Sequence, residues 1–255
     1  MFSDKKIIIK SVFGLALATT LVGAASAQSL VVRSTGPSAK TYPAGKKLAA
    51  NSTVTLRAQD KITVLDKAGT RVLSGPGNFR LDGRVSRDQN TTTKLASFIN
   101  NRSRSRSRTG AVRGPGSGQT QETSMDSPHL WYLDVREGGT FCVANPNKVM
   151  LWRPDITSGA SGTLKSSSGT TKDIRWISGN PISAWPKASI AIANGATFRL
   201  TSNVAPGEKV IKTVVLDKRP ADLEEAAAVL IANGCTAQLD LLVRTVPAEN
   251  SATGG

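Results

Sequence analysis

Apolar and polar residues alternate in short runs along the first part of the chain, residues 28–83. A period of two places one side of an extended segment in a core and the other in solvent, as in a half-buried strand. This pattern predicts strands at residues 30–33, 54–58, 61–65, 70–73 and 78–81. Turn signals separate them, including Gly36-Pro37 and a hairpin loop that closes on Gly69. We therefore expect a small β module.

The same period recurs in a later part of the chain, residues 128–246. The predicted strands occupy residues 129–135, 139–143, 148–152, 173–177, 188–192, 197–201 and 209–216. Their regular spacing, with turn signals such as Asn194-Gly195 between them, is typical of a β-sandwich or a barrel. The segment SGASGTLKSSSGTT, residues 158–171, is either a Gly/Ser loop or a pair of weak strands. The expected fold class is mainly β, with two β-rich modules.

The period changes to that of a helix near the C-terminus. Five apolar residues follow the i, i+3, i+4, i+7, i+8 spacing of an amphipathic helix over residues 221–233. They are Leu223, Ala226, Ala227, Leu230 and Ile231. Pro220 suits the first helical position, and Gly234 suits the position just past the end. Residues 239–243 fit either a closing strand or a second short helix.

Residues 84–127 join the two modules and have a different composition. Apart from a short helix expected at residues 94–100, they are rich in Arg, Ser, Thr and Gly, as in NNRSRSRSRTG at residues 100–110. Such a composition buries too little apolar area to offset the entropy of ordering, so we expect a disordered linker. Residues 247–255 are expected to form a disordered tail.

Five arginines of the linker are candidates for electrostatic docking. They are Arg102, Arg104, Arg106, Arg108 and Arg113. A solvated spacer is the leading interpretation, and docking to an anionic envelope polymer or an acidic partner is the alternative. Specific nucleic-acid recognition is not indicated, because no RRM, KH or helix-turn-helix pattern accompanies the tract.

The first 27 residues have the organisation of a secretory signal peptide. Lys5, Lys6 and Lys10 precede an uncharged apolar run over residues 11–23, and the motif ASA at residues 25–27 fits a cleavage site. The run is shorter than the roughly 20 residues that span a bilayer. We expect export, to the periplasm or beyond it, with no transmembrane segment after cleavage. Without the leader's three Lys and one Asp, the net charge falls from +15 to +13, which favours acidic partners.

The two cysteines, Cys142 and Cys235, fit an oxidising compartment. They are 93 residues apart, and we expect them to form a disulfide; the alternative is two buried thiols. Two cysteines and one histidine cannot assemble an ordinary zinc site. We expect no metal and no cofactor.

Candidate catalytic chemistry is sparse, and we do not expect an enzyme. His129 is the only histidine, and no G-x-S-x-G elbow accompanies any serine, so we assign no catalytic residue. Trp152, Trp176 and Trp185 are candidates for stacking on a ligand. The competing and leading interpretation is that these rings, like Trp131, fill the core of the sandwich.

The first module resembles the FecR-like domains of bacterial envelope proteins. The resemblance covers about fifty residues and rests on Gly45 before a basic-apolar strand, the motif D-x-x-G-T-R-x-L at residues 66–73 and G-P-G-x-F at residues 75–79. It implies a β-rich envelope module of sensing or scaffolding type. Members of that family also carry a cytoplasmic anti-sigma segment and a membrane helix, and this sequence shows neither pattern.

The sequence thus predicts an exported, non-catalytic FecR-like envelope protein that binds, senses or scaffolds. The expected partner is an envelope protein or an anionic envelope polymer. Two alternatives remain open at this point. One is a polysaccharide- or peptidoglycan-directed enzyme with its site in residues 128–246, and the other is a basic adaptor that docks an acidic partner through the linker.

Overall fold

The computed structural model describes residues 29–66, 69–81, 96–99, 126–246 and 248–249. Strands account for most of the regular structure in these ranges, and the longest helices form a C-terminal pair. The prediction of a mainly β fold is therefore confirmed. The predictions for the signal peptide and for the five linker arginines fall outside the described residues.

The first module contains six strands. Their bounds are β1 Ser29–Thr35, β2 Lys47–Leu48, β3 Thr53–Leu56, β4 Lys61–Leu65, β5 Thr70–Ser74 and β6 Gly77–Arg80. Four of them form an antiparallel sheet in the order β5-β4-β1-β2, while β3 pairs with β6 in a separate two-stranded sheet. The five predicted strands of this module are all present. β2 was not predicted, because two residues are too few to show a period.

The larger sheet of this module is buried on both faces. Successive residues of a strand point to opposite faces. Val31 and Val64 therefore contribute to a small apolar core shared with the two-stranded sheet. Their neighbours Leu30, Val32 and Leu65 belong to a different core, on the other face, which includes the C-terminal helices. The module is thus one layer of a larger structure.

The later part of the chain forms a sandwich of two sheets. Its strands are β7 Tyr132–Asp134, β8 Gly139–Val143, β9 Met150–Trp152, β10 Ala160–Ser166, β11 Thr171–Trp176, β12 Ile182–Ala184, β13 Thr197–Ser202 and β14 Lys209–Val215. The strand orders are β11-β10-β13-β14-β8 and β12-β9-β7. Most neighbours are antiparallel, but β14 pairs with β8 and β7 with β9 in parallel. Leu164 and Phe198 of the five-stranded sheet share a core with Leu133 and Leu151 of the three-stranded one.

Two segments of the sandwich refine the sequence analysis. Residues 158–171 are not a loop, since β10 and β11 pair as a hairpin over Ala160 to Trp176. Residues 188–192 are not the predicted strand. The N–H groups of Ser189 and Ile190 both donate to the carbonyl of Pro186, which bends this segment into a turn. Short 3-10 helices lie at Pro37–Lys40 and Pro146–Lys148.

Two helices close the fold, α1 Leu223–Ala232 and α2 Thr236–Thr245. The carboxylate of Asp222 caps α1 by accepting from the N–H of Glu225, so the helix begins after Pro220 and not at it. At the other end, Gly234 takes a φ of 67° and the N–H of Cys235 donates to the carbonyl of Leu230, as in a Schellman motif. Residues 239–243, which fit either a strand or a helix by sequence, lie within α2 and are helical.

A shared apolar core connects the first module, the helices and the sandwich. It includes Leu30 of β1, Leu230 of α1 and Leu242 of α2, and also Phe98 and Ile99 of the short helix at residues 96–99. Those last two residues belong to the segment that the sequence assigned to the linker. Their side chains are buried because the surrounding core offers them apolar partners. The two β modules are thus packed through a common core.

The C-terminal segment also contributes a strand. Ala248–Glu249 forms β15, which pairs in parallel with β5 and extends the sheet of the first module. The sequence had assigned these residues to a disordered tail. They lie two residues after Val246, whose carbonyl accepts a hydrogen bond from the hydroxyl of Thr70 in β5. This hydrogen bond holds the end of α2 against the first module. The residues that follow α2 therefore lie beside the open edge of β5.

Cys142 and Cys235 form a disulfide, as predicted. Cys142 lies in β8, and Cys235 lies at the N-terminus of α2. Both are fully buried in the shared core. The bond therefore fastens the turn between the two helices to the edge of the five-stranded sheet.

Asp60 organises turns of the first module. Its two carboxylate oxygens accept from the N–H of Ser38 at 2.8 Å and from the N–H of Arg57 at 2.6 Å. Burial acts to raise the pKa of Asp60, but these hydrogen bonds outweigh burial and lower the pKa. Gly36 sits against this carboxylate at a φ of 97°, where any side chain would collide with it.

Replacing both cysteines with alanine is expected to lower the free energy of unfolding by about 2–5 kcal/mol, because the disulfide closes a long loop. Urea unfolding followed by circular dichroism measures the change. Reductant should shift the wild-type midpoint towards that of the variant and leave the variant unaffected. Equal midpoints for oxidised wild type and variant would contradict a stabilising disulfide.

Phe98→Ala is expected to cost about 3–5 kcal/mol of stability, because it opens a cavity in the shared core. The matched control is Ala96→Ser in the same short helix, where the side chain is exposed and a change below about 0.5 kcal/mol is expected. Urea unfolding of both variants gives the comparison. A Phe98→Ala protein as stable as the control would mean that this ring does not join the core.

Candidate functional site

The tryptophans proposed for ligand stacking are buried. Trp152, Trp176 and Trp185 are 3%, 2% and 4% exposed, and Trp131 is 5% exposed. The indoles of Trp176 and Trp185 donate to the carbonyls of Leu151 and Ile190, so their polar edges are satisfied inside the fold. The stacking prediction is wrong for all three residues, because Trp176 and Trp185 pack in the core between the two sheets and the ring of Trp152 is equally buried.

The structure instead places a cavity beside α2. Its volume is about 90 Å³, and its walls come from the segment before β7, from the turn between β7 and β8, and from α2. The apolar part of the lining is contributed by Leu133, Phe141, Ile211 and Leu241. Four carboxylates also line the cavity: Asp126, Asp134, Glu137 and Asp240. This combination suits a ligand with an apolar stem and a cationic end.

Gln238 forms the wall between the cavity and β8. Its side-chain oxygen accepts from the N–H of Cys142 at 2.7 Å, and its amide nitrogen donates to the carbonyls of Cys142 and Leu130. The side chain thus pairs with the open edge of β8 as another strand would. These three hydrogen bonds and the disulfide hold α2 at a fixed position beside the cavity.

Three of the four carboxylates are paired with arginines. Arg136 donates two hydrogen bonds to the carboxylate of Asp134, and this pairing raises the pKa of Arg136. The guanidinium also lies over the ring of Trp152, 5.4 Å from its centroid. This pair is therefore a fixed, charged part of the wall.

The other two pairs connect α2 to more distant segments. Arg244 of α2 pairs with Asp126 at 3.1 Å, and Asp240 of α2 pairs with Arg33 of β1. The carboxylates are neutralised where the three parts of the fold meet.

Glu137 differs from the other three acidic residues. It is exposed in the turn between β7 and β8, and its backbone N–H donates to the carbonyl of Asp134. Within the described part of the chain, its carboxylate has no hydrogen bond or ion pair. Glu137 is therefore the acidic group of the lining whose carboxylate keeps its acceptor sites for a cation entering the cavity, although it also interacts electrostatically with Arg136.

His129 supports the cavity from behind. Its Nδ1 accepts from the N–H of Trp131 at 3.1 Å, and its ring stacks on Tyr132, which lines the cavity. Burial lowers the pKa of His129 to about 4, with the positive charge of Arg219 as a smaller cause. His129 is therefore neutral at pH 7 and acts as a packing and hydrogen-bonding residue.

Sequence reasoning did not find this site. Glu137 lies about a hundred residues before Gln238 and Asp240 along the chain, so the three form no local motif. The docking arginines that the sequence proposed lie outside the described residues, so the structure does not place them. The tryptophans that the sequence proposed for ligand stacking are buried.

No model of a known protein family matches the chain, and no curated protein matches it. Across the described residues, no helix is both long and apolar enough to cross a membrane. The same residues contain no group of three or more His, Cys, Asp or Glu side chains placed to hold a metal ion. The case for the site therefore rests on its geometry.

The buried histidine makes stability depend on pH. Its pKa of about 4 in the folded state lies below the unfolded value of 6.5, so the unfolded state binds more protons between these two pH values. Stability should therefore fall as the pH drops from about 6.5 to about 4. His129→Asn retains an acceptor for Trp131 but removes the titration, so its stability should fall less over this window. Parallel urea titrations at several pH values test this, and identical slopes for the two proteins would contradict a buried neutral histidine.

Proposed function

We propose that the protein is an exported, non-catalytic envelope protein of FecR-like type, which binds or scaffolds a partner protein through the cavity beside α2. The leader-like sequence of residues 1–27 supports export, and the disulfide fits an oxidising compartment. The resemblance of the first module supports an envelope role. The fold positions this module directly behind the cavity, through the pair between Arg33 and Asp240.

The observation that carries the proposal is the lining of the cavity. An apolar floor that includes Phe141 and Leu241 lies beneath three ion-paired carboxylates and the single carboxylate of Glu137. A lysine or arginine side chain would bury its stem on this floor and direct its charge to Glu137. The ligand we expect is therefore a basic side chain presented by an envelope protein.

Photo-crosslinking in intact cells tests this function. A photoreactive phenylalanine analogue replaces Ala237, at the rim of the cavity, and in a matched strain replaces Thr170, at the exposed tip of the β10–β11 hairpin. We expect an adduct with a specific envelope protein from position 237 and none from position 170. Glu137→Gln should reduce the adduct about tenfold, because it removes a charge-assisted hydrogen bond.

The control for the loss of charge is Glu224→Gln in the first turn of α1, which should leave the adduct unchanged. Cell fractionation of the same strains should find the protein in the periplasm or medium, starting after the predicted leader. The proposal would be wrong if the intact polypeptide stayed in the cytosol, or if both positions gave the same adducts.

A further inference from the structure

The five-stranded sheet of the sandwich has a second face, which the core does not use. Its inner face packs on the three-stranded sheet through residues such as Leu164, Ile174 and Leu200. Residues that alternate with these point outward and are exposed. Four of the outward residues are cations: Lys165 on β10, Arg175 on β11, Arg199 on β13 and Lys212 on β14.

The strand register places three of these cations close to one another, while Arg175 lies opposite Ser161, further along the same face. Lys165 is directly opposite Arg199, so their Cβ atoms are about 5 Å apart. Arg199 is in turn opposite Val210, and Lys212 lies two residues further along the same strand and on the same face. Like charges directly opposite in a sheet are unfavourable. Their arrangement here points to an external anion.

Few carboxylates offset this charge. Arg199 pairs with Glu208 at the end of the sheet, and Asp173 is an acidic residue on the same face of β11. Among the described residues, Lys165, Arg175 and Lys212 have no ion-pair partner. The face therefore presents an excess of positive charge to solvent.

The same face carries exposed apolar side chains. Ile177 is 72% exposed and Val210 is 45% exposed, and these are the exposed large hydrophobic residues of the described chain. Val210 lies between Arg199 and Lys212 on the outward side of β14. Ile177 directly follows Trp176, which points inward, so it continues the outward row of Arg175 beyond the end of β11. Basic and apolar side chains are thus mixed over one broad sheet surface.

We propose that this basic sheet face docks on an anionic phospholipid surface. Cations are attracted to the negative potential of such a surface, while exposed isoleucine and valine side chains enter its apolar boundary. A broad sheet face with exposed hydrophobic residues at separate positions suits a surface better than a single extended polymer. The helix pair covers the β8 side of the sheet, where Cys142 joins Cys235, and leaves the basic strands uncovered.

Vesicle co-sedimentation of the purified mature chain tests the proposal, with phosphatidylcholine vesicles that contain about one-third phosphatidylglycerol. The variant K165Q/R175Q/K212Q is expected to bind about 100-fold more weakly, since each of the three cations near such a surface contributes about fivefold. The matched control, K40Q/K47Q/K61Q, removes the same charge from exposed positions of the first module and should lose no more than a few-fold.

The apolar contribution is tested separately with I177S/V210T, which keeps every charge. Its binding should weaken about tenfold, because two buried apolar side chains are lost from the bilayer boundary. All of these positions are exposed, and the thermal midpoints of the variants check that the fold is intact.

Several outcomes would overturn the proposal. Binding to pure phosphatidylcholine at the same level would exclude the electrostatic mechanism. An equal loss in both triple variants would mean that only net charge matters. Loss on replacing the five linker arginines with glutamine, but not in K165Q/R175Q/K212Q, would assign binding to the linker. Binding to soluble heparin without any binding to the vesicles would make the partner an anionic polymer and not a lipid surface.

Discussion

The burial of the second face of the first module against the C-terminal helices is the constraint on which the architecture depends. A module of about fifty residues buries too small a fraction of its surface to be more than marginally stable alone. The sheet of this module buries more apolar surface because it packs on both of its faces. Val31 faces the small core, and Leu30 and Val32 face the helices. The first module, the helix pair and the edge of the sandwich therefore stabilise one another.

Closing the edges of the sheets follows from the same packing. The unpaired edge of β8 would otherwise be open to other chains. Gln238 and the disulfide hold α2 against it, so the edge is capped by a side chain and covered by a helix. β15 covers part of β5 in the same way. The cavity arises beside α2 because a helix that caps a strand edge cannot also fill the space in front of the β7–β8 turn.

The elements that sequence patterns predicted are those with a local cause. Strands β1, β4 and β13 follow from alternation, and the end of α1 follows from Gly234, because both signals lie within a few residues. The burial of Phe98 has no such signal. Two apolar residues beside a polar tract do not change its average composition, and their partners lie elsewhere in the chain. Residues 188–192 were predicted as a strand that is not present. Their apolar residues alternate, but backbone hydrogen bonds to the carbonyl of Pro186 fold the segment into a turn.

The candidate site has no local sequence signal either, because its residues come together only in the fold. Its lining is rich in carboxylates, whereas the chain as a whole is basic. The +15 formal charge of the sequence suggests acidic partners only. The fold separates the charges, since carboxylates gather at the cavity while Lys165, Lys212 and Arg175 share one exposed sheet face. The two surfaces should differ in their response to salt. Exposed cations are screened within about 10 Å at moderate ionic strength. A cation paired with Glu137 also buries its stem on the apolar floor of the cavity, so its binding should depend less on salt than binding at the sheet face. The two proposed contacts can therefore be distinguished by their dependence on ionic strength.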